Sequence, residues 1–147
     1  TNANDYSIAK TVNGSGKLRG TDANDLLTGS KKNDRLYGNL GNDELIGGQG
    51  KDSLYGGLGS NIFNAGLSSS RKDADRLYVQ REGSAASADI IESIGRNDRV
   101  YIQGATGDLS VRAIDGGLGI YDNDILQAIY TGNNFNASTL NNQLVAS

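Results

Sequence analysis

A nine-residue beat runs through the first half of the chain, and few folds can accommodate it. Five consecutive nonapeptides, GTDANDLLT, GSKKNDRLY, GNLGNDELI, GGQGKDSLY and GGLGSNIFN, run from Gly20 to Asn64. Their first position is Gly20, Gly29, Gly38, Gly47 and Gly56; the sixth is Asp25, Asp34, Asp43, Asp52 and then Asn61; the eighth is Leu27, Leu36, Leu45, Leu54 and Phe63. A fixed period of this kind belongs to solenoids, whose units bury their apolar side chains only against stacked neighbours.

Each column has a physical reading. The first six residues are rich in Gly and Asn, which tolerate positive φ and close backbone approach, so they form a turn. The last three form a short strand in which the eighth side chain points opposite to its neighbours and, being always apolar, faces inward. Two nonapeptides then make one coil with two turns and two strands. Stacked coils build two parallel sheets with rungs about 4.8 Å apart, with Leu27, Leu45 and Phe63 on one wall and Leu36 and Leu54 on the other. The segment TVNGSGKLR before the repeats has Leu18 in phase but Gly16 where Asp belongs, and reads as a cap.

Stacking also places Asp25 over Asp43 and Asp34 over Asp52. At about 5 Å each such pair repels by roughly 1–3 kcal/mol, so a cation is expected between them. Carboxylates and turn carbonyls without sulfur or imidazole are the ligand set of Ca²⁺, which takes 6–8 oxygens; Mg²⁺ prefers fewer protein ligands and more water. A metal-free glycine-rich solenoid or a polar linker would account for Asp in turns, but not for Asp and Leu columns that keep one phase.

GGQGKDSLY matches G-G-x-G-x-D-x-U-x, U being a large apolar residue, at every defined position, and the block resembles the RTX, or haemolysin-type, calcium-binding nonapeptide repeat. The resemblance implies an all-β fold: a parallel β-roll with calcium between the turns of repeats n and n+2, closed by a β-rich C-terminal region. It implies about two to four Ca²⁺ ions. Their ligands by position are Asp25 with Asp43, Asp34 with Asp52, and a weaker third pair, Asp43 with Asn61, completed by carbonyls including Ala23, Lys32, Gly41, Gly48, Gly50 and Gly59. The first two repeats lack the second and fourth glycines, and Asn61 removes a charge. The resemblance further implies a secreted protein, exported by a type I exporter through an uncleaved C-terminal signal.

The expected organisation is an N-terminal cap (1–19), the calcium-binding roll (20–65) and a β-rich C-terminal cap (66–147) carrying the export signal. After Asn64 the phase stops and the architecture is expected to change. The polar stretch AGLSSSRKDA reads as a connector. Arg76–Gln80, Asp89–Ile94 and Arg99–Gln103 read as strands from their β-branched and aromatic content. A meander follows through SVRAI, GIY and ILQAIY, with turns at Asp115-Gly116-Gly117 and Asp122-Asn123. A short helix is expected from an N-cap at Ser138 to Leu144.

Composition narrows the functions. The 147 residues contain no Cys, Met, Trp, Pro or His, which removes thiol and imidazole chemistry and leaves carboxylate pairs or Ser–Lys arrangements as enzyme candidates. The column aspartates are assigned to metal, and Glu44, Glu82 and Glu92 share no spacing that unites them, so a non-catalytic module is expected. Twenty-one glycines are about twice ordinary usage, without the every-third spacing of collagen. A net charge of -3, with no cluster of Lys or Arg along the sequence, argues against nucleic acid. No apolar run approaches a membrane span, and TNANDYSIAKTV lacks the regions of a cleavable signal. Lacking an initiator Met, the sequence is expected to be part of a longer polypeptide.

The rival reading is a calcium-dependent targeting module that holds an anionic polysaccharide or cell surface, as the repeat modules of alginate epimerases do by resemblance. Lys31, Lys32, Arg35, Tyr37, Lys51 and Tyr55, all from the even repeats, would supply its strip. Tyr37 and Tyr55 should project side by side; sugar binding and plain cross-strand packing both fit them, packing the better. The second position runs Thr, Ser, Asn, Gly, Gly and makes no ice-binding ladder. GGLGIYD imitates a repeat with its Asp one residue late and reads as a hairpin. Asp122 and Asp124 lack the glycine and Glu of an EF-hand loop and read as a turn.

Overall fold

The computed structural model describes residues 8, 10–66, 73–83 and 87–147. The repeats form a two-walled roll. The strands are β1 (Lys10–Asn13), β2 (Lys17–Arg19), β3 (Asp25–Thr28), β4 (Arg35–Tyr37), β5 (Glu44–Ile46), β6 (Ser53–Gly57) and β7 (Ile62–Asn64). Odd strands build one wall and even strands the other, all parallel. On one wall Val12, Leu27, Leu45 and Phe63 stand in register; on the other Leu18, Leu36 and Leu54 do. From Leu27 to Phe63 these inward residues are fully buried. One apolar residue per nine is enough because each is covered above, below and across the roll.

The parallel stacking runs on past Asn64, where a change of architecture was expected. Strands β8 (Arg76–Gln80), β9 (Asp89–Ser93) and β10 (Arg99–Gln103) continue the walls: Leu54 pairs with Leu77 and Leu77 with Val100, while Phe63 pairs with Ile91. The walls persist because the strands keep their inward apolar residue; only the connections lengthen. Most of the expected connector, residues 67–72, lies outside the described residues.

The change comes at β11 (Leu109–Ile114), β12 (Gly117–Asp122) and β13 (Ile125–Tyr130), an antiparallel meander that joins the odd wall through β13 beside β9. Among the described residues the sheet orders are β1-β3-β5-β7-β9-β13-β12-β11 and, with β14 (Leu144–Ala146) beside β10, β14-β10-β8-β6-β4-β2. The meander turns fall where Gly, Asn and Asp predicted them, with Asn123 and Asp124 at positive φ. Helix α1 (Ala137–Asn141) is shorter than expected. Its N-cap is Asn136 rather than Ser138, because Asn136 accepts the Thr139 N–H at 2.9 Å while the Thr139 hydroxyl accepts the Asn136 N–H at 2.9 Å. Leu144 belongs to β14.

The first-position glycines of the first three repeats are required by the stacking distance, and those of the last two by side chains of their own repeat. A Cβ on Gly29 would lie 2.2 Å from the Gly47 carbonyl oxygen of the next rung, and neither backbone can yield without breaking a wall. Gly29→Ala is therefore expected to lower stability by about 2–3 kcal/mol. Gly14→Ala, whose Cβ would make an ordinary 3.5 Å contact with Leu18, should cost under about 0.5 kcal/mol; paired thermal unfolding curves would compare them.

Candidate metal centre

The sixth-position side chains are buried and serve the backbone. Each aspartate sits where turn becomes strand, and from Asp34 onward its Oδ1 accepts the N–H of the column residue one coil earlier. Asp43 accepts from Asp25 at 2.8 Å and Asp52 from Asp34 at 2.8 Å. The Asn61 Oδ1 accepts from Asp43 at 2.9 Å. At the N-terminal end Gly16, standing in the Asp column, still donates its N–H to Asp34 Oδ1 at 2.5 Å.

The column also runs beyond the repeats. Asp75 accepts the Asp52 N–H at 2.7 Å, Asp98 that of Asp75 at 2.9 Å, and Asp89 that of Asn61 at 2.7 Å. These three escaped a search at fixed period because the offsets become 23 and 28 residues instead of 18. A signal for two of them is present: Asp75-Arg76-Leu77-Tyr78 repeats Asp34-Arg35-Leu36-Tyr37 letter for letter, and Asp98-Arg99-Val100-Tyr101 differs by one residue.

The second carboxylate oxygen separates the turns into two kinds. In the first two repeats it is satisfied locally: Asp25 Oδ2 accepts from the Thr21 N–H and hydroxyl, and Asp34 Oδ2 from the Ser30 N–H at 2.6 Å and hydroxyl at 2.9 Å. In the next three repeats the second position is left-handed, with φ of 78° at Asn39, 98° at Gly48 and 79° at Gly57. No N–H reaches the second carboxylate oxygen there. Asp43 Oδ2 and Asp52 Oδ2 are buried with no donor at all, a costly state for a charged oxygen. At the fifth repeat the Asn61 amide donates instead to the Gly57 and Gly59 carbonyls, at 3.1 and 3.4 Å.

Burial sets the charge state of the later column residues. It pushes Asp43 up to about 7, against the opposing Asp25 N–H bond and with help from the Asp25 charge. Burial likewise takes Asp52 to about 7, Asp75 to about 8 and Asp98 to about 6, and holds Asp89 well above the ordinary carboxylate range.

A turn carbonyl stands close to the first of these oxygens, and others line the turns. The ideal Cβ of Gly38 would lie 2.4 Å from Asp43 Oδ2 and 2.6 Å from the Gly56 carbonyl, and that of Gly47 2.7 Å from Asp52 Oδ2. The fourth-position carbonyls of Ala23, Lys32 and Gly41 lie against Gly41, Gly50 and Gly59 of the following coil, and Ser30 O lies against Gly48. Among the described residues no three acidic side chains gather as a metal cluster. One or two carboxylates with turn carbonyls would make an all-oxygen donor set, which fits Ca²⁺. The Gly59 carbonyl already has the Asn61 amide.

The meander's acids are structural. Asp122 is fully buried, ion-paired with Arg81 at 2.6 Å and hydrogen-bonded by Thr106 and Gly107, and it stays below the ordinary carboxylate range through these donors despite burial. Asp124 pairs with Arg112 at the surface.

The profile of the RTX calcium-binding nonapeptide repeat matches residues 19–54 and 37–69, in four copies, so this block belongs to the RTX calcium-binding repeat family. Among solved structures the chain is similar to the solution structure of the AlgE6R3 subunit from the Azotobacter vinelandii mannuronan C5-epimerase, with 24% identity over 96% of this chain and 85% of that one and a TM-score of 0.32. Comparison with curated proteins finds no match. No described helix is long and apolar enough to cross a membrane.

The buried column gives the metal-free chain an inverted pH response. Asp43, Asp52, Asp75 and Asp98 keep protons in the folded state that the unfolded chain releases near pH 4, so their contribution to stability is greatest below that pH and is lost as pH rises through about 6–8. In chelator, the melting temperature is expected to fall by about 5 °C or more between pH 5 and pH 8; a flat or rising profile would show that these groups are not buried as described.

Proposed function

We propose that the chain is a secreted, non-catalytic module whose roll is completed by two Ca²⁺ ions, one centred on Asp43 and one on Asp52. The observation that carries this reading is the pair of buried, donorless oxygens, Asp43 Oδ2 and Asp52 Oδ2. Asp25 and Ala23 with Gly41, on one edge, and Asp34, Lys32, Gly48 and Gly50, on the other, are the residues that would complete the ligand sets. The ion supplies divalent charge for oxygens that otherwise must hold protons.

The other turns have their own substitutes. Thr21 and Ser30 satisfy the first two carboxylates, and the Asn61 amide takes the Gly57 and Gly59 carbonyls, which supports two ions rather than a third at Asp43 and Asn61. With affinities near 10⁻⁴ M, about 1 mM calcium outside a cell adds roughly 1.4 kcal/mol per site. At intracellular calcium this contribution vanishes, which suits a chain exported unfolded by a type I exporter and folded on arrival. The non-catalytic role rests on a composition without imidazole or thiol and on column carboxylates committed to backbone.

The targeting reading is favoured by a separate observation. The outer face of the even wall is basic, carrying Lys17, Arg35, Arg76 and Arg99 in one register row, which suits an anionic polysaccharide or surface held once calcium has ordered the roll.

Calorimetric titration of the chain at pH 7.5 should give two Ca²⁺ per molecule and no comparable response to Mg²⁺. Asp43→Asn and Asp52→Asn should each remove about one ion. Together they should raise the metal-free melting temperature, since each variant places an amide where Asn61 already shows one is accommodated. Undiminished calcium binding by the double variant would refute the assignment.

A further inference from the structure

The even wall carries a feature that the repeat family does not require. Tyr37, Tyr55, Tyr78 and Tyr101 occupy one register row and stack face to face, with centroids 4.7, 4.2 and 4.9 Å apart and planes within 17°. Lys17 and Arg19 close the free face of Tyr37 at 5.5 and 5.1 Å. At the other end Val145 of β14 stands in register beside Tyr101, so the row offers a sugar ring or base its edges and hydroxyls, and its stacking is cross-strand packing.

Beside it runs the row Lys17, Arg35, Ser53, Arg76 and Arg99, spanning five rungs or about 19 Å. All four cations are exposed. No acidic residue occupies an outward position on β2, β4, β6, β8 or β10, and among the described residues the ion pairs are Arg81–Asp122 and Arg112–Asp124, neither on this face. Arg99 is held in place by Asp98 O at 2.8 Å and Gln143 Oε1 at 2.6 Å. Gln80 and Gln103 form a third row across the tyrosines.

We propose that this face binds a linear acidic polysaccharide carrying one carboxylate per sugar, laid along the roll axis. The proposal rests on the targeting reading above and names its site. A straight row of cations one or two rungs apart, with Ser53 at the middle rung, keeps step with an extended chain whose charges recur at every ring, since pyranose residues linked head to tail advance by close to one rung. Guanidinium forks pair with carboxylates in two-point contact, while the phenol and amide rows supply hydrogen-bond partners for sugar hydroxyls. Single-stranded nucleic acid fits less well: it relies on aromatic faces for its bases, and those faces are closed here. Lys31, Lys32 and Lys51 lie in the turns, off this face.

The test is titration of the calcium-loaded full chain with short oligouronates, too short to gel with calcium, alongside their neutral methyl esters and a single-stranded oligonucleotide of equal charge. The variant K17Q/R35Q/R76Q should bind the oligouronate roughly tenfold or more weaker, three charges being lost from a screened contact. Its near-ultraviolet dichroism, which reports the tyrosine stack, should keep its sign and most of its intensity, Lys17 over Tyr37 being the one cation–ring contact removed. The control K31Q/K51Q/R96Q removes equal charge elsewhere and should bind within about twofold of the parent. Equal loss in both variants would overturn the site and leave the targeting reading standing. An oligonucleotide that binds as tightly as the oligouronate would overturn the ligand class, and no oligouronate binding by the parent chain would sink the targeting reading itself.

Discussion

The structure depends on one bond repeated along each wall: a buried carboxylate accepting the backbone N–H of its counterpart one coil earlier. At the end of each turn a strand begins with an N–H that the ladder leaves without a carbonyl. A side-chain oxygen fills that need only if it comes from the next coil at the right height, which fixes the stacking distance and the phase together. The inward leucines contribute burial but could slide; the carboxylate contact cannot. It also explains why the column tolerates Asn61 and why Asn61 still bonds Asp43, since the contact needs an oxygen and not a charge.

Serving the backbone commits one oxygen and leaves the other to be dealt with inside the protein. The chain has three solutions, decided by the second residue of the turn and by the column residue itself. Thr21 and Ser30, outside the left-handed region, aim N–H and hydroxyl at the carboxylate. Asn39 and Gly48, left-handed, turn the peptide away and leave the oxygen bare. Asn61 removes the oxygen and offers an amide. Loss of glycine in the early repeats, which reads in the sequence as a cost in turn flexibility, is in structural terms what lets backbone and hydroxyl donors reach the second oxygen.

The inward leucines, the alternating walls and the acidic pairs were legible in the sequence because one period governs them all. What was not legible follows from the failure of that period after Asn64. A roll constrains its strands in space, not the number of residues between them, so β8, β9 and β10 extend the walls across connections of other lengths while DRLY and DRVY keep the chemistry of DRLY at 34–37. A search for the tetrapeptide instead of the spacing finds Asp75 and Asp98. Asp89 opens a different tetrapeptide, DIIE, closer to the DLLT of β3, and its place shows only through the register of Phe63 with Ile91.

The same geometry accounts for the basic face, which is invisible as a charge run. Lys17, Arg35, Arg76 and Arg99 are separated in sequence by whole coils, and a chain of net charge -3 shows no cluster where they occur. Stacking converts those separations into neighbouring positions about one or two rungs apart. Like charges at that distance oppose folding by a modest amount in water, and the tyrosine stack beside them offsets that opposition. A wall on which cations gather in line while every acidic side chain is kept off it has concentrated field of one sign on a narrow, straight track, and a track of that shape recognises a partner by the pitch of its charges more than by their number.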